Sequence, residues 1–319
     1  MAATVTVRWM AGDDLHVGGL DALAEARSTG RAVWVDILEP DTGTLDVVGR
    51  AYDLHELAIE DCIHYPQRPK IDAYPDNLFV VWIAPRLEPQ EMFASSEIDI
   101  FIGADYLITA HRDDVPAIDV VAESVSGLLS HGPEWTLHAI LDRSVDAMFP
   151  IVDMIGEELD RIENELLGKV MDGQLKQLYA VKRTMLDLHK VIGPERDVLR
   201  AMVRHDEFVS QEAYLYLQDV GDHVARVADS IDIYRDVASS VMDIYLSAIS
   251  NRLNVVMKQL TVVATIFMPL TLITGIYGMN LTKMMWPSTE WAWSFPVVMG
   301  SMFVIVIGML YAFKRRGWW

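Results

Sequence analysis

Two uncharged apolar stretches near the C-terminal end constrain this chain more than anything else in it. No Lys, Arg, Asp or Glu stands between Lys258 and Lys283, where TVVATIFMPLTLITGIYGM runs. None stands between Glu290 and Lys314, where WAWSFPVVMGSMFVIVIGMLYAF runs. Each exceeds the roughly 20 residues needed to cross a bilayer core. A buried core helix is the alternative for either stretch alone; two in tandem argue against it. Trp286, Trp291 and Trp293 lie between the stretches and Trp318 and Trp319 follow them, as in interfacial aromatic belts. The basic run at 314–316 puts the C-terminal end in the cytoplasm by the positive-inside rule. Two spans return the N-terminal body to the same side. The expectation is a multi-pass protein of the cell (inner or plasma) membrane, embedded in the lipid bilayer, with both termini cytoplasmic.

The charge is distributed accordingly. The chain has 319 residues and a net charge of −20, yet residues 254–319 carry +4, so the first 253 carry −24. An acidic body is therefore joined to an apolar, slightly basic tail. Acidity argues against nucleic acid, whose phosphates require a basic surface. It suits metal cations, although a solvated acidic surface looks the same in sequence. Cys62 is the only cysteine, which excludes an intrachain disulfide and a thiolate metal cluster. The N-terminal MAATVTVRWMAGDD has no basic segment followed by an apolar run, so no signal peptide is expected.

Residues 4–110 alternate short apolar runs (TVTVRWM, RAVWVDI, NLFVVWIA, EIDIFIG, YLITAHR) with helix-like stretches (DTGTLDVVGRAYDL, HELAIEDCIH). That pattern predicts an α/β layer domain. Beyond about residue 115 the chain reads as helical. One helix is expected over EWTLHAILDRSVDAMFPIVDMIGEELDRIENELLG with Pro150 inside it, and another over GQLKQLYAVKRTMLDLHKVI. The tip between them is acidic, with Asp153, Glu157, Glu158, Asp160, Glu163, Glu165 and Asp172. No proline follows Pro194 until Pro269; a helix over most of that length would approach 100 Å at about 1.5 Å per residue. A break is expected near residues 205–212.

Within this segment Val220, Val224, Val227, Ile231, Tyr234, Ala238, Val241, Tyr245 and Ala248 recur at 4,3 spacing, a coiled-coil-like seam. On another face Asp222, Asp229, Asp236 and Asp243 recur every seven residues. The same register continues through Ser250, Asn254, Met257, Thr261, Ala264, Met268, Thr271 and Gly275. A solvated face explains the aspartates as well as a site does. It does not explain Asn, Thr and Gly within a membrane, where facing an oligomer axis accounts for them better. Because a straight helix drifts about 20° per heptad, the two ends share a side only if it supercoils.

Enzyme signatures are missing. HELAI at 55–59 begins like a zinc-protease HExxH, but Ile59 replaces the second histidine. No P-loop, G-x-S-x-G or dinucleotide fingerprint occurs, and no enzyme is expected. The concentrated chemistry lies at the end of the first span. There Gly278, Met279 and Asn280 can turn backbone carbonyls and a ring of amides toward an opening. The two glycines, Gly275 and Gly278, let the backbone leave the helix there, which is tolerated only where it lines a cavity. Neutral oxygens of this kind hydrogen-bond hydrated Mg²⁺, which sheds its water reluctantly. Met257, Leu260 and Met268 can form an apolar constriction that gates by dewetting.

Here the sequence resembles the CorA family of magnesium/cobalt transporters. The likeness is close over MDIYLSAISNRLNVVMKQLTVVATIFMPLTLITGIYGMN (242–280), which includes the family's Tyr-Gly-Met-Asn signature. It extends more loosely over HELAIEDCIHYPQRPKID (55–72) and the two-span C-terminal layout. The resemblance implies a homopentameric funnel in which an α/β domain leads to a stalk helix that becomes the first span. It implies a selectivity mouth at Gly278, Met279 and Asn280, with Asn254, Met257, Leu260, Met268, Thr271 and Gly275 lining the pore. Asp219 and Asp243 match stalk aspartates that bind regulatory Mg²⁺ between subunits, and Glu88 is the candidate partner carboxylate. Cytoplasmic Mg²⁺ then holds the channel closed. Mg²⁺ is thus both transported and regulatory, Co²⁺ and Ni²⁺ are further substrates, and no organic cofactor is implied. One departure is the loop after the signature, often acidic in the family, where Lys283 here precedes a single Glu290.

The expected organisation is an α/β domain over 1–114, a helical region over 115–210 and a stalk helix over 211–258. A pore-lining span over 259–280, a loop over 281–293, a second span over 294–313 and a basic tail over 314–319 follow. Two alternatives compete with the Mg²⁺ channel. One is a zinc or other transition-metal transporter on the same scaffold, against which Met279 counts because the related zinc transporters carry Ile there. The other is a membrane-anchored scaffold or sensor without flux.

Overall fold

The structure, a computed structural model, describes residues 3–29, 31–88, 91–168, 173–205, 207–279, 286–287 and 291–318, with the side chains of 87–92 excepted. Asn280, the Glu88 side chain and most of the loop over 281–293 therefore lie outside the described residues. The chain divides into two units, Met1–Met242 and Asp243–Trp319.

The first unit is built on a seven-stranded sheet. Its strands are β1 (Thr4–Ala11), β2 (Asp14–Gly18), β3 (Val33–Leu38), β4 (Lys70–Ala73), β5 (Leu78–Glu88), β6 (Glu91–Ile102) and β7 (Tyr106–His111). Their order is β2-β1-β3-β7-β6-β5-β4. Only β3 and β7 run parallel; the other neighbouring pairs are antiparallel. Three short helices, α1 (Leu23–Thr29), α2 (Thr42–Tyr52) and α3 (Glu56–Ile63), cover one face. There Leu23, Leu45, Val48 and Cys62 pack on Val7, Val35, Phe79 and Phe101. Asp41 caps α2 by accepting a hydrogen bond from the Thr44 amide at 2.7 Å, as acidic N-caps do.

Longer helices approach the sheet as well: α4 (Pro116–Leu129), α5 (Pro133–Asp146), α6 (Met148–Gly168) and α7 (Gln174–Met202). With both faces covered, β7 is buried at every position and β5 from Leu78 to Ala84. This is why these strands read as unbroken apolar runs. The five strands expected from sequence are present. β2 and β4 were not expected; they are the two edge strands, exposed or half-buried throughout, so no apolar alternation marks them. The single helix expected around Pro150 is instead two, α5 and α6. Pro150 falls in the first turn of α6, where its missing N–H would have had no intrahelical partner anyway.

After α7 ends at Met202, α8 runs over Gln211–Gly278, so the helix break falls between these residues. Within the first unit the seam residues Val220, Val224, Val227, Ile231, Ala238 and Val241 are buried, while Asp222, Asp229 and Asp236 on the other face are exposed. Gly156 of α6 admits Tyr234 of α8: a Cβ there would stand 2.6 Å from the tyrosine oxygen. The second unit holds the rest of α8 and α9 (Ser294–Arg315).

Two buried carboxyl groups couple the first unit to pH. Glu195 on α7 is fully buried and accepts the Ile83 amide at 3.2 Å. The β4 pairing reaches only to Val81, so this side chain satisfies an amide beyond it that has no strand on that side. Burial pushes Glu195 well up from the carboxylate range. Burial, then the nearby Glu97, pushes Asp99 up to about 7. Both groups hold their proton more tightly folded than unfolded. Their contribution is complete below about pH 4 and is lost as pH rises through the folded values. Glu195→Gln is expected to flatten this decline between pH 5 and 8 in thermal melts of the purified protein. Glu195→Leu, which orphans the Ile83 amide, should be less stable than Glu195→Gln by about 1–3 kcal/mol at any pH in that range. Equal behaviour of the two variants would contradict the assignment.

Candidate functional site

In the first unit a helix face of α5 meets α8 around one imidazole. Asp142 and Asp146 are four residues apart on α5 and so share a face. His223 of α8 sits against them, its Nδ1 3.9 Å from Asp142 Oδ1 and 3.8 Å from Asp146 Oδ1. Its Nε2 lies 3.5 Å from Asp219 Oδ2, one turn earlier on α8. One ligand atom from each of Asp142, Asp146 and His223 falls within 4.8 Å of the others. His223 Nδ1 is buried and makes no hydrogen bond. Donors bound to one ion at 2.0–2.1 Å lie about 3 Å apart, so a modest side-chain adjustment brings these atoms into ligating distance.

Aromatic packing fixes the frame. Phe149 meets the His223 ring edge-on at 6.0 Å, and Arg226 lies over Phe149 at 5.6 Å. One turn before Asp142, His138 stacks edge-on with Trp135 and Tyr216. Burial lowers the His138 pKa, against the raising effect of Asp142 and Asp219; it stays neutral at the mouth of the cluster. Of the three expected regulatory carboxylates, the structure brings only Asp219 to this cluster. Asp243 stands exposed on α8, and the side chain of Glu88 lies outside the described residues. Asp142, Asp146 and His223 were missed. The signals for them were the i, i+4 aspartates in LDRSVDAM and the same spacing from Asp219 to His223.

In the second unit each helix carries one half-covered stripe. On α8 it is Lys258, Val262, Ile266, Pro269, Ile273 and Tyr277; on α9 it is Ser294, Val298, Met302, Ile305, Met309 and Phe313. Lys258 joins the two by donating to the Gly317 carbonyl at 2.8 Å. Tyr277 donates to the Trp286 carbonyl at 3.2 Å. Asn254, Met257, Leu260, Met268, Thr271 and Gly275, the candidate pore positions, are all exposed. At about 100° per residue their stripe falls on the side of α8 roughly opposite the half-covered one.

The threonines on and beside that exposed stripe bond back to their own helix. Thr261 donates to the Met257 carbonyl, Thr265 to Thr261, Thr271 to Phe267 and Thr274 to Thr271, at 2.7–3.0 Å. Their donors are thereby spent, and each hydroxyl turns an acceptor oxygen outward. Acceptor oxygens suit a cation and its water. Contrary to expectation, Gly275 does not release the backbone, since α8 continues through it to Gly278. The Met279 amide then closes a tighter turn on the Ile276 carbonyl at 3.2 Å. The third mouth residue, Asn280, lies outside the described residues.

The family described as CorA-like Mg²⁺ transporter protein matches residues 29–315. The chain is similar to the cobalt/magnesium transport protein CorA of Thermotoga maritima, 31% identical over 306 residues that cover 94% of this chain and 87% of that protein. It is also similar to the zinc transport protein ZntB of Photorhabdus laumondii, 21% identical over 69% of this chain and 67% of that protein. The complete structure of the CorA magnesium transporter from Methanocaldococcus jannaschii superposes with a TM-score of 0.83 at 25% identity, covering 100% of this chain and 99% of that one.

An ion held by the Asp142–Asp146–His223 cluster stabilises the fold by mass action, about 2.7 kcal/mol at a hundredfold excess over Kd. Mg²⁺ or Co²⁺ is therefore expected to raise the thermal midpoint of the purified protein. The double variant Asp142→Asn, His223→Ala should lose most of that rise; an unchanged rise would show that the ion binds elsewhere.

Proposed function

The chain belongs to the CorA-like Mg²⁺ transporter family, and from that premise we propose that it carries Mg²⁺ into the cell as a homopentameric channel closed by cytoplasmic Mg²⁺. Divalent metal ion transport across a membrane follows from the family itself; the ion, the assembly and its regulation are the proposal. The observation that carries it is the exposed, oxygen-bearing stripe of α8, which faces away from α9 and leads to Gly278, Met279 and Asn280.

Five copies of that stripe around an axis enclose a path of threonine oxygens and methionine side chains. Asn280 amides and the carbonyls of Gly278 and Met279 form its outer mouth and hydrogen-bond the ion's water, avoiding the cost of stripping it. Met257, Leu260 and Met268 narrow the path with apolar surface, which dewets when the helices close together. The basic run at 314–316 sets both termini in the cytoplasm. Inward movement of a divalent ion is then driven by about 4.6 kcal/mol per 100 mV of inside-negative potential. On the cytoplasmic side Asp142, Asp146 and His223 bind the ion, and Asp219, Asp243 and Glu88 act with them between subunits. The bound ion joins neighbouring stalks and holds the pore shut.

A transition-metal reading is favoured by one observation, the imidazole nitrogen of His223 among the carboxylates, since nitrogen ligands suit Zn²⁺, Co²⁺ and Ni²⁺. Uptake in competition among Mg²⁺, Co²⁺, Ni²⁺ and Zn²⁺ separates the two; preferred inhibition by Zn²⁺ would overturn the Mg²⁺ assignment. Asn280→Ala is expected to reduce Mg²⁺ uptake at least tenfold, the scale of about 1.4 kcal/mol; wild-type uptake would remove Asn280 from the mouth. With Asp219→Ala and Asp243→Ala together, internal Mg²⁺ should no longer close the channel at concentrations that close the wild type.

A further inference from the structure

The basic end of the α8–α9 pair is built as a fixed edge. Gly317 takes a left-handed conformation, φ 67°, and the chain closes α9 with two backward bonds. The Gly317 amide donates to the Lys314 carbonyl at 3.1 Å and the Trp318 amide to the Phe313 carbonyl at 3.0 Å. These are the two bonds of a Schellman motif, and the Trp318 ring packs on Phe313 at 5.6 Å as that motif favours. Lys258 of α8 completes the lock from the other helix, bonding the Gly317 carbonyl and lying 5.9 Å over the Trp318 ring. Trp318 is thereby held as a wall rather than a loose end.

Behind that wall is a groove of about 450 Å³ between the two helices, lined by Val255, Val262, Ile266, Leu310 and Trp318 with the stem of Lys258. Its volume is that of sites which enclose a small molecule, about 300–1,000 Å³. Its α8 residues lie on the side away from the exposed stripe, so in the proposed assembly it does not face the pore axis. Lys314 stands four residues beyond Leu310, on the same face of α9, and Lys314, Arg315 and Arg316 are exposed. After Asp243 the only carboxylate side chain in the sequence is Glu290, which precedes α9 at its other end. Three cations thus follow the groove's Leu310 by four to six residues, with no side-chain anion near them in sequence.

We propose that this groove binds an anionic phospholipid of the leaflet at the basic end. One acyl chain lies along Val262, Ile266 and Leu310, and Lys314, Arg315 and Arg316 hold the phosphate. The inference rests on the membrane reading of α8 and α9, not on which ion is carried. A lipid seated there bridges the pore helix and the second helix. Its presence then bears on how α8 moves.

The test is lipid retention by the full chain. The protein is reconstituted in vesicles of equimolar phosphatidylglycerol and phosphatidylcholine, extracted in mild detergent, and its bound lipid identified by mass spectrometry. Wild type is expected to retain phosphatidylglycerol at least tenfold over phosphatidylcholine. Each basic residue at an anionic surface is worth about a fivefold change, so the triple variant Lys314→Gln, Arg315→Gln, Arg316→Gln should lose the preference. Val262→Trp, which fills the groove and leaves the cations in place, should retain neither lipid. Equal retention of both lipids by wild type would overturn the proposal. So would an unchanged preference in the triple variant, or wild-type retention by Val262→Trp, which would mark a surface charge effect without a site. The readout is bound lipid and not ion flux, so failure here and failure of the transport reading are told apart.

Discussion

A polar group left unpaired in hydrocarbon costs several kcal/mol, and that penalty organises the membrane part of this protein. It explains why each threonine of the first span bonds back to its own helix. It explains why α9 ends in a motif that pairs two of its last free carbonyls. It also explains why Asn254, Thr271 and Gly275 share a side of α8 with methionines rather than with the valines and isoleucines that meet α9. A divalent cation meets the same penalty in stronger form. The side of the helix that spares the protein an unpaired group is therefore also the side proposed to pass an ion with its water.

The first unit applies the same economy of partners to charge. Glu195 replaces a missing strand for one amide, and burial keeps both it and Asp99 protonated well above the ordinary carboxylate range. Around His223 the arrangement differs, with three carboxylates approaching one imidazole without hydrogen-bonding it. Such a cluster has the donor set that a cation accepts. That contrast separates buried acids that hold the fold from half-exposed acids grouped around one imidazole.

Much of this was legible in the sequence, for identifiable reasons. The two spans declared themselves because hydrocarbon tolerates no charge over 20 residues. The five inner strands did so because burial on both faces leaves only apolar residues, as in Leu78–Ala84. β2 and β4 were hidden because an edge strand such as KIDA pairs on one side and has no buried face to mark. Pro150 misled because its effect depends on position: inside a helix it breaks, and at the first turn of α6 it starts one. The Asp142–Asp146–His223 cluster was hidden for a different reason. Asp142 and Asp146 lie 77 and more residues from His223 in sequence, and only the packing of α5 on α8 brings them together. Gly275 was overread, since a glycine free to leave a helix is not obliged to.

The central claim is that one side of α8, and not the other, lines the path of the ion. Divalent cation flux into liposomes can be measured for Met268→Cys, Thr271→Cys and Gly275→Cys, against Ile266→Cys and Ile273→Cys, before and after a water-soluble thiol reagent. The native Cys62 is buried in the body, so the reagent reports on the introduced thiols. Block at 268, 271 and 275 with flux preserved at 266 and 273 is the predicted result. Equal block in both sets, or block only at 266 and 273, would contradict it.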